Sequence, residues 1–259
     1  MPELPEVETI VQQLNSKVKG KLVSDIFISD SIVDSNIKEI VPFKIQNIFR
    51  RGKSIVFEVS NENFILTHLR MTGHFCYNQE KNFQVAKFTF SDNSFLTHNS
   101  IRKFGGMRLV DKETLDKDLS KLGVEPLSKE FDLNYFKMII DKKKKSNIKT
   151  TLLDQSLIAG IGNIYAQEML YHTGVDPHRK SGSLSGMEIK NLYLEIVRIL
   201  SLAIKHKGST VDNYTNMEGA GNFQKIISVY NKSFCPLGHQ IKKVSIGGRG
   251  TSYCPVCQK

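Results

Sequence analysis

The segment KSIVFEVS, residues 53–60, has the residue pattern of a β-strand. Ile55, Phe57 and Val59 occupy alternate positions, so their side chains point to one face of a sheet. Similar short runs continue up to Val110. The turns between them include Asn61-Glu62-Asn63, Asn78-Gln79-Glu80 and Ser91-Asp92-Asn93. Short strands separated by turns predict an antiparallel sandwich or barrel.

Helices are predicted on both sides of this strand region. Residues 5–18 precede it as the predicted opening helix, and one apolar stripe runs along this segment from the residue before it, through Leu4, Val7, Val11 and Leu14. After residue 127 the apolar spacing becomes helical, in segments 131–143, 152–157, 163–171 and 187–206. The sequence therefore predicts an α+β protein with a helix and an antiparallel β-sandwich in domain 1–115, a helical domain 128–225 and a zinc-finger-like β-hairpin in 226–259.

Composition limits the partners. Among the 259 residues, Lys and Arg number 36 and Asp and Glu 26, which gives a net charge of +10. A basic protein of this kind most often binds a polyanion. No run of 18 apolar residues and no signal-peptide pattern is present in the sequence. We therefore expect a cytoplasmic monomer with no membrane partner.

The N-terminal residues MPELPE, positions 1–6, contain a potential covalent catalyst. Removal of Met1 would expose the secondary amine of Pro2. An α-amino group has a pKa of about 7.7–8.0, so a useful fraction is neutral and nucleophilic near pH 7. Glu3 and Glu6 would offer carboxylates for proton transfer.

The same residues also fit an ordinary helix start. Pro5 suits the first position of a helix, and Glu6 and Glu8 suit the positive end of the helix dipole. The hexapeptide alone leaves the choice between a helix start and a catalytic amine open.

The C-terminus carries a metal-like pattern. Cys254 and Cys257 have the C-x2-C spacing of a zinc knuckle. Upstream, Cys235 is followed by Gly238 where a second cysteine would be expected, and then by His239. One interpretation is a Cys3His site that binds one structural Zn2+. The alternative is a hairpin that has lost its metal and is held by packing.

The two ends together resemble the formamidopyrimidine-DNA glycosylases, bacterial repair enzymes that remove oxidised purines. The resemblance covers the whole chain. It rests on Pro2-Glu3-Leu4-Pro5-Glu6, Arg51-Gly52-Lys53, His68-Leu69-Arg70-Met71-Thr72-Gly73, Arg102-Lys103-Phe104-Gly105, Asp154-Gln155, Ala159-Gly160-Ile161-Gly162-Asn163-Ile164-Tyr165, Arg249 and Tyr253-Cys254-Pro255-Val256-Cys257-Gln258-Lys259. Leu4 separates this group from the related endonuclease VIII group, which usually has glycine there.

The resemblance implies a catalytic set. Pro2 would attack C1′ of the damaged nucleotide, expel the base and form an iminium, with Glu3 as its acid-base partner. Lys53 would assist base release and β-elimination. Arg249 would grip the phosphate beside the lesion and is linked to δ-elimination. Without the resemblance, Lys53 would be an exposed lysine at a strand edge and Arg249 an ordinary loop residue.

The resemblance also implies DNA contacts and a helix-two-turn-helix module in domain 128–225. An enzyme that flips a nucleotide must fill the gap. Met71, Arg102 and Phe104 would fill it, although Met71 and Phe104 could equally pack in a core. The residues expected on the phosphate backbone are Lys145, Lys149 and Asn163. Residues 213–223 would form a loop over the flipped base.

The sequence departs from the family pattern at two places. Gly238 stands in place of a zinc cysteine, and the histidine that in the family often precedes the strand containing Phe88, and contacts a phosphate, has no match around Gln84-Val85. The partner implied is duplex DNA containing oxidised purines or abasic sites, in a bacterial, nucleoid-associated protein. Three other functions stay open: an endonuclease VIII-like enzyme for oxidised pyrimidines, a non-catalytic protein that binds damaged DNA, and an RNA-binding protein.

Overall fold

The computed structural model describes residues 1–210 and 217–259. The chain forms two compact units: Met1–Lys121 with His206–Asn222, and Leu122–Lys205 with Phe223–Lys259. We call them the first and the second unit. No helix in the described ranges is both long enough and apolar enough to cross a bilayer. The three-domain division expected from the sequence stays a prediction.

The first unit begins with helix α1, Leu4–Val18, whose apolar stripe is buried. Glu3 is the residue that caps the helix, and Pro5 is its second residue, one position later than predicted. Proline is tolerated in a first turn because its missing N–H would have no partner inside the helix. The predicted opening helix is therefore confirmed, with its start moved to Leu4.

Eight strands follow α1 and form one antiparallel sheet in the order β5-β7-β6-β1-β2-β3-β4-β8. Their bounds are β1 Leu22–Ile28, β2 Phe43–Arg51, β3 Ser54–Val59, β4 Asn63–His68, β5 His74–Tyr77, β6 Gln84–Phe90, β7 Phe95–Asn99 and β8 Gly106–Val110. β1 and β2 pair at only two positions, which divides the sheet into two four-stranded halves. Phe57 of one half meets Phe75 of the other edge-on, with ring centroids 5.8 Å apart. The halves face each other across one core, as in a sandwich, and the predicted α+β class is confirmed.

Helix α2, Lys112–Leu119, is absent from the sequence-based expectation. Its Leu115 packs on Val56, Phe64 and Val110, on the face of β3 and β4 that points away from the main core. Asp111 starts the helix by accepting a hydrogen bond from the Thr114 amide. β3 is therefore buried on both faces, although its alternating pattern suggested two faces of different character.

The second unit contains four helices and a hairpin: α3 Leu133–Lys142, α4 Ile148–Leu153, α5 Asn163–His172, α6 Gly186–Lys205, β9 Lys242–Ile246 and β10 Arg249–Tyr253. The expected helix at 152–157 is wrong in position, because Asn147 caps a helix that starts at Ile148 and ends at Leu153. α5 is central, since every residue from Ile164 to Leu170 is buried. It is thus the helix on which the sequence-predicted phosphate site would be built.

Candidate functional site

The start of α1 is a closed network of backbone-to-carboxylate bonds. Glu3 and Glu6 form a capping box: the Glu3 side chain accepts from the Glu6 backbone, and Glu6 Oε2 accepts from the Glu3 N–H at 2.9 Å. Glu3 and Glu6 are 4% and 2% exposed, and Pro2 is buried beside them. The helix start and the carboxylates expected for catalysis are therefore the same structure.

The other oxygen of Glu6 binds a distant segment of the first unit. Glu6 Oε1 accepts from the Ser209 N–H at 2.7 Å. Gly208 has φ +74°, and a Cβ there would lie 2.9 Å from Glu6 Cγ. This close approach requires glycine. Glu6 thus connects the start of α1 to the segment 207–209, a link that no sequence motif indicated.

Lys53 lies at the tip of the two-residue turn between β2 and β3, after Gly52 with φ +58°. His68 ends β4, and burial, with smaller contributions from Arg70 and Lys53, lowers the pKa of His68 to about 4. His68 Nδ1 accepts from the Arg70 N–H at 3.1 Å, which assigns the ring proton to Nε2. His68 is therefore a neutral donor near Lys53, and its motif gave no separate role for it.

Met71, Arg102 and Phe104 come together on two neighbouring loops; we call them the exposed triad. Met71 is 39% exposed and Phe104 is 59% exposed. Arg102 joins them: its Nη1 is 3.3 Å from Met71 Sδ, and its guanidinium carbon lies 5.0 Å from the Phe104 ring centroid. Core packing does not account for side chains this exposed.

Two glycines fix the backbones of these loops. The Met71 loop, residues 69–73, closes with a hydrogen bond from Gly73 N to Leu69 O at 2.9 Å, and a Cβ on Gly73 would lie 2.5 Å from that same oxygen. In the Arg102 loop, residues 100–105, a Cβ on Gly105 would lie 2.3 Å from His68 O. Neither position can carry a side chain without moving backbone.

In the second unit, Gln155 holds the turn before α5. Its Oε1 accepts from Gly160 N at 2.9 Å, and its Nε2 donates to the carbonyls of Leu153 and Ile161 at 2.9 and 2.8 Å. Gly162, the residue that caps α5, provides no side-chain cap. A helix start of this kind is suited to an anion.

The three residues expected to contact phosphate differ in their exposure and in their side-chain partners. Lys145 is exposed, as the prediction requires. Lys149 is fully buried, and its Nζ donates to Thr251 Oγ1 at 2.5 Å, so a direct phosphate contact by Lys149 is wrong for this structure. Lys149 is the second residue of α4, and from there its side chain reaches Thr251 of β10. Asn163 Nδ2 donates to Gly250 O at 3.0 Å, also on β10.

Arg249 is exposed beside the two-residue turn of the β9–β10 hairpin. Gly247 and Gly248 form this turn with φ +58° and +71°. A Cβ on Gly247 would lie 2.6 Å from Thr150 Cγ2. Thr251 Oγ1 accepts a hydrogen bond from Lys149 Nζ and donates one to Arg249 O at 3.0 Å. Buried contacts therefore fix the backbone that presents the Arg249 side chain.

Cys235, His239, Cys254 and Cys257 form the metal cluster that the sequence predicted. Their ligand atoms all lie within 4.8 Å of one another, with His239 Nδ1 3.6 Å from Cys235 Sγ and 3.3 Å from Cys257 Sγ. With zinc–sulfur bonds of about 2.3 Å, a tetrahedral site separates its ligands by about 3.5–3.8 Å. Gly238 takes φ +80°, which turns the chain and brings His239 into the place of the expected cysteine. The donor set fits one structural zinc ion.

Family models match most of the chain. The formamidopyrimidine-DNA glycosylase N-terminal domain matches residues 1–107, the formamidopyrimidine-DNA glycosylase H2TH domain matches residues 122–215, and the zinc finger found in FPG and IleRS matches residues 238–259. The third match agrees with the cysteine and histidine cluster, so one structural zinc is supported by geometry and by family.

Relatives agree over the full length. Proteins named formamidopyrimidine-DNA glycosylase from an Exiguobacterium species and from Shouchella clausii are 38% and 39% identical, cover 100% of this chain, and are themselves covered over 100% and 99%. The Lactococcus lactis Fpg in complex with abasic-site DNA is 33% identical, with a TM-score of 0.92 and 99% of each chain covered. A mutant of that Fpg in complex with Fapy-dG DNA is also 33% identical, with a TM-score of 0.91 and 100% of each chain covered. This chain therefore belongs to the formamidopyrimidine-DNA glycosylase family.

Proposed function

We propose that this protein is a bifunctional DNA glycosylase and abasic-site lyase that excises oxidised purines, such as 8-oxoguanine and formamidopyrimidines, from duplex DNA. The observation that carries this proposal is the start of α1, where Pro2 and Glu3 are buried and the Glu3 backbone is held by Glu6. Once Met1 is removed, the Pro2 amine stands at the positive end of a helix, which favours its neutral, nucleophilic form.

In the proposed reaction, the amine first displaces the base and then, as an iminium, promotes the two eliminations. The Pro2 nitrogen bonds to C1′ while the bond from C1′ to the base breaks, and the leaving base takes a proton. Opening of the sugar ring gives an iminium between Pro2 and C1′. Loss of a C2′ proton then expels the 3′ phosphate, and a second elimination expels the 5′ phosphate. Addition of water to the resulting iminium releases the sugar fragment as an aldehyde and, with loss of a proton, returns the neutral Pro2 amine.

Glu3 and Glu6 have different roles in this proposal. Both Glu6 oxygens accept backbone N–H groups, one from Glu3 and one from Ser209, so we assign Glu6 as a positioning residue. Glu3 adjoins the amine in sequence and is the acid-base group for proton transfer to and from the opened sugar. The earlier expectation that either glutamate could move protons is thus narrowed to Glu3.

Lys53 and Arg249 are presented in a similar way. Each lies in or beside a two-residue hairpin turn that contains a glycine with positive φ, and in each case the turn is fixed by strand pairing. Such a turn places a long cationic side chain beyond the end of the sheet. We assign Lys53 to base release and β-elimination, and Arg249 to the phosphate beside the lesion and to δ-elimination.

Duplex DNA is the proposed ligand, because the solved relatives named above hold DNA with an abasic site or Fapy-dG. The exposed triad would fill the gap left by the flipped nucleotide, with Arg102 bonding the orphaned base. Lys145 and Asn163 would contact phosphate near the uncapped start of α5. Bound zinc supplies a rigid crosslink for the hairpin that carries Arg249. Four residues of the proposed loop over the base, 213–216, lie outside the described residues.

The test is excision from four matched duplexes carrying 8-oxoguanine opposite cytosine, an oxidised pyrimidine, an abasic site or no lesion. We expect base release and strand cleavage on the first and cleavage on the third. Faster excision of the pyrimidine would favour the endonuclease VIII-like alternative. Tight binding with no cleavage of either the 8-oxoguanine or the abasic duplex would contradict the proposal and favour a non-catalytic binder. As a control, binding of undamaged duplex should weaken steeply with salt.

A further inference from the structure

We propose that Asp30 and Thr72 are positioning residues that hold the Arg102 loop in the shape needed for the exposed triad to enter the duplex. This inference rests on the proposed function of the triad. It concerns two side chains that lie outside the triad itself. Asp30 binds the Lys103 side chain and Thr72 binds the Arg102 backbone, and both of these loop residues are exposed.

Asp30 holds the loop by its central residue. Lys103 lies between Arg102 and Phe104 and has φ +52°, a left-handed conformation that a residue with a Cβ adopts at a cost. Its Nζ lies 2.5 Å from Asp30 Oδ2. Asp30 is itself fixed, because its Oδ1 accepts from the Ile32 N–H at 3.1 Å. The left-handed backbone conformation thus occurs at Lys103, the residue whose side chain forms an ion pair with Asp30 just after β1.

The charge state of Asp30 suits this role. The hydrogen bond from Lys103, followed by the one from the Ile32 amide, lowers the pKa of the Asp30 carboxyl. Its side chain is 15% exposed, against 57% for Lys103. Asp30 is therefore an ionised, half-buried anchor, and Lys103 is the exposed side chain that reaches it.

Thr72 holds the loop at the next residue back. The Arg102 N–H donates to Thr72 Oγ1 at 2.9 Å. Thr72 directly follows Met71, so this bond joins the backbone of Arg102 to the loop that carries the first member of the triad. The Lys103 N–H donates to Ser100 Oγ at 3.2 Å, within the loop, and so cannot supply the same connection.

Both anchors are needed because the loop has little other support. Ile101, Arg102, Lys103 and Phe104 are all exposed, and Gly105 meets backbone of the Met71 loop only at the far end. A wedge that enters DNA gains rate when its backbone is already in place. An ordinary exposed ion pair would contribute little to stability. The expected signature is therefore a change in insertion of the triad with little change in folding.

The test uses Asp30→Asn, Lys103→Asn, Lys103→Arg, Thr72→Val and Thr72→Ser. Lys103→Asn removes the ammonium but accepts a positive φ, so it separates the ion pair from backbone strain. Lys103→Arg and Thr72→Ser keep the bonding groups. Asp92→Asn, which breaks the Lys21–Asp92 pair elsewhere in the first unit, is the matched control. The readouts are fluorescence of 2-aminopurine placed beside the lesion, the ratio of excision opposite cytosine to that opposite adenine, and melting temperature.

We expect Asp30→Asn, Lys103→Asn and Thr72→Val each to slow the fluorescence change by about twofold to tenfold and to reduce the opposite-base ratio, with near-normal melting. Asp30→Asn with Lys103→Asn should be no worse than either alone. Lys103→Arg, Thr72→Ser and Asp92→Asn should behave as the native protein. Unchanged insertion and opposite-base ratio in the three disruptive variants, or equal loss in Asp92→Asn, would overturn the inference. Failure of the native protein to excise any lesion would instead contradict the proposed function.

Discussion

The start of α1 and the two loops of the exposed triad solve different problems within one unit. At the start of α1, Pro2, Glu3 and Glu6 are buried, and the carboxylates bind backbone N–H groups. In the loops, the side chains of Met71 and Phe104 are exposed and are joined through Arg102, while backbone contacts fix the loops themselves. The difference indicates that the group proposed to react is enclosed by the fold, whereas the groups proposed to read DNA are exposed side chains on loops with a fixed backbone.

The largest effects on activity and stability are expected from substituting Glu3 and Glu6 separately, because the two carboxylates are proposed to have different roles. Glu3→Gln keeps an acceptor for the cap but removes the proton-transfer group, so excision should fall by on the order of 10²-fold or more with a small change in melting temperature. Glu6→Gln places an amide among backbone donors and should destabilise the protein by about 2–4 kcal/mol. Excision rates and thermal melting measure the split. Equal melting in both variants would show that Glu6 is not a structural anchor.

The next effect extends the comparison to the second unit, where Arg249 is exposed on a hairpin that has only a small buried cluster of its own. Cys254→Ser should release zinc and weaken DNA binding by on the order of 10–100-fold, because the metal replaces a core. Zinc content and binding of an abasic duplex measure this. Cys76→Ser, a buried cysteine outside the cluster, should keep one zinc ion per chain. Full zinc and normal binding in Cys254→Ser would contradict the assigned ligands.

A smaller effect tests the fixed backbone of the loops. Gly105→Ala would drive a methyl group into His68 O, so the Arg102 loop must shift. We expect excision from duplex DNA to fall about tenfold, by the misplacement of the triad. Cleavage of an abasic site in single-stranded DNA, which leaves no gap to fill, should be nearly unchanged. Gly186→Ala, which meets nothing within 4 Å, is the control. Normal duplex excision would show that the loop backbone need not be fixed.

The smallest effect concerns stability alone. Burial lowers the pKa of His98 to about 3, and its neighbour in the pairing, Phe75, stacks on the ring at 5.1 Å. The unfolded chain binds this proton below about pH 6.5, so folding stability should fall as pH decreases from 6.5 towards 3. His98→Phe should flatten that fall by on the order of 4 kcal/mol, measured by urea unfolding at several pH values. His206→Asn is the control, and an unchanged pH slope in His98→Phe would contradict the assignment.

Local patterns predicted the elements well and the connections poorly. Apolar stripes predicted α1 and α6, and alternation predicted β3, because burial on one face determines the spacing of residues. Helix α2 was missed because only Leu115 of its eight residues is buried. The contact of Glu6 with Ser209 spans 203 residues, and no local pattern contains it. Lys149 illustrates the same limit: the family resemblance implied a phosphate contact, but the direction of its side chain into β10 depends on where α4 begins.

The zinc cluster shows what a motif can and cannot predict. Spacing identified Cys254 and Cys257, and chemistry suggested His239 as the fourth ligand. The left-handed turn at Gly238 that brings His239 to the cysteines became evident only from the backbone. The motifs thus named the metal ligands and the candidate site residues, whereas the contacts of Ser209, Thr72 and Asp30 with those candidates became evident only from the fold.

Borohydride trapping can show whether the Pro2 amine bonds to the sugar of the damaged nucleotide. The protein would be incubated with a duplex carrying 8-oxoguanine opposite cytosine, reduced, and digested for mass analysis. A matched sample would carry a removable N-terminal extension that blocks Pro2. We expect a covalent adduct on Pro2 in the native protein, none while the extension is present, and its return after cleavage of the extension. An adduct on a lysine, or excision by the blocked protein, would contradict the assignment of Pro2 as the nucleophile.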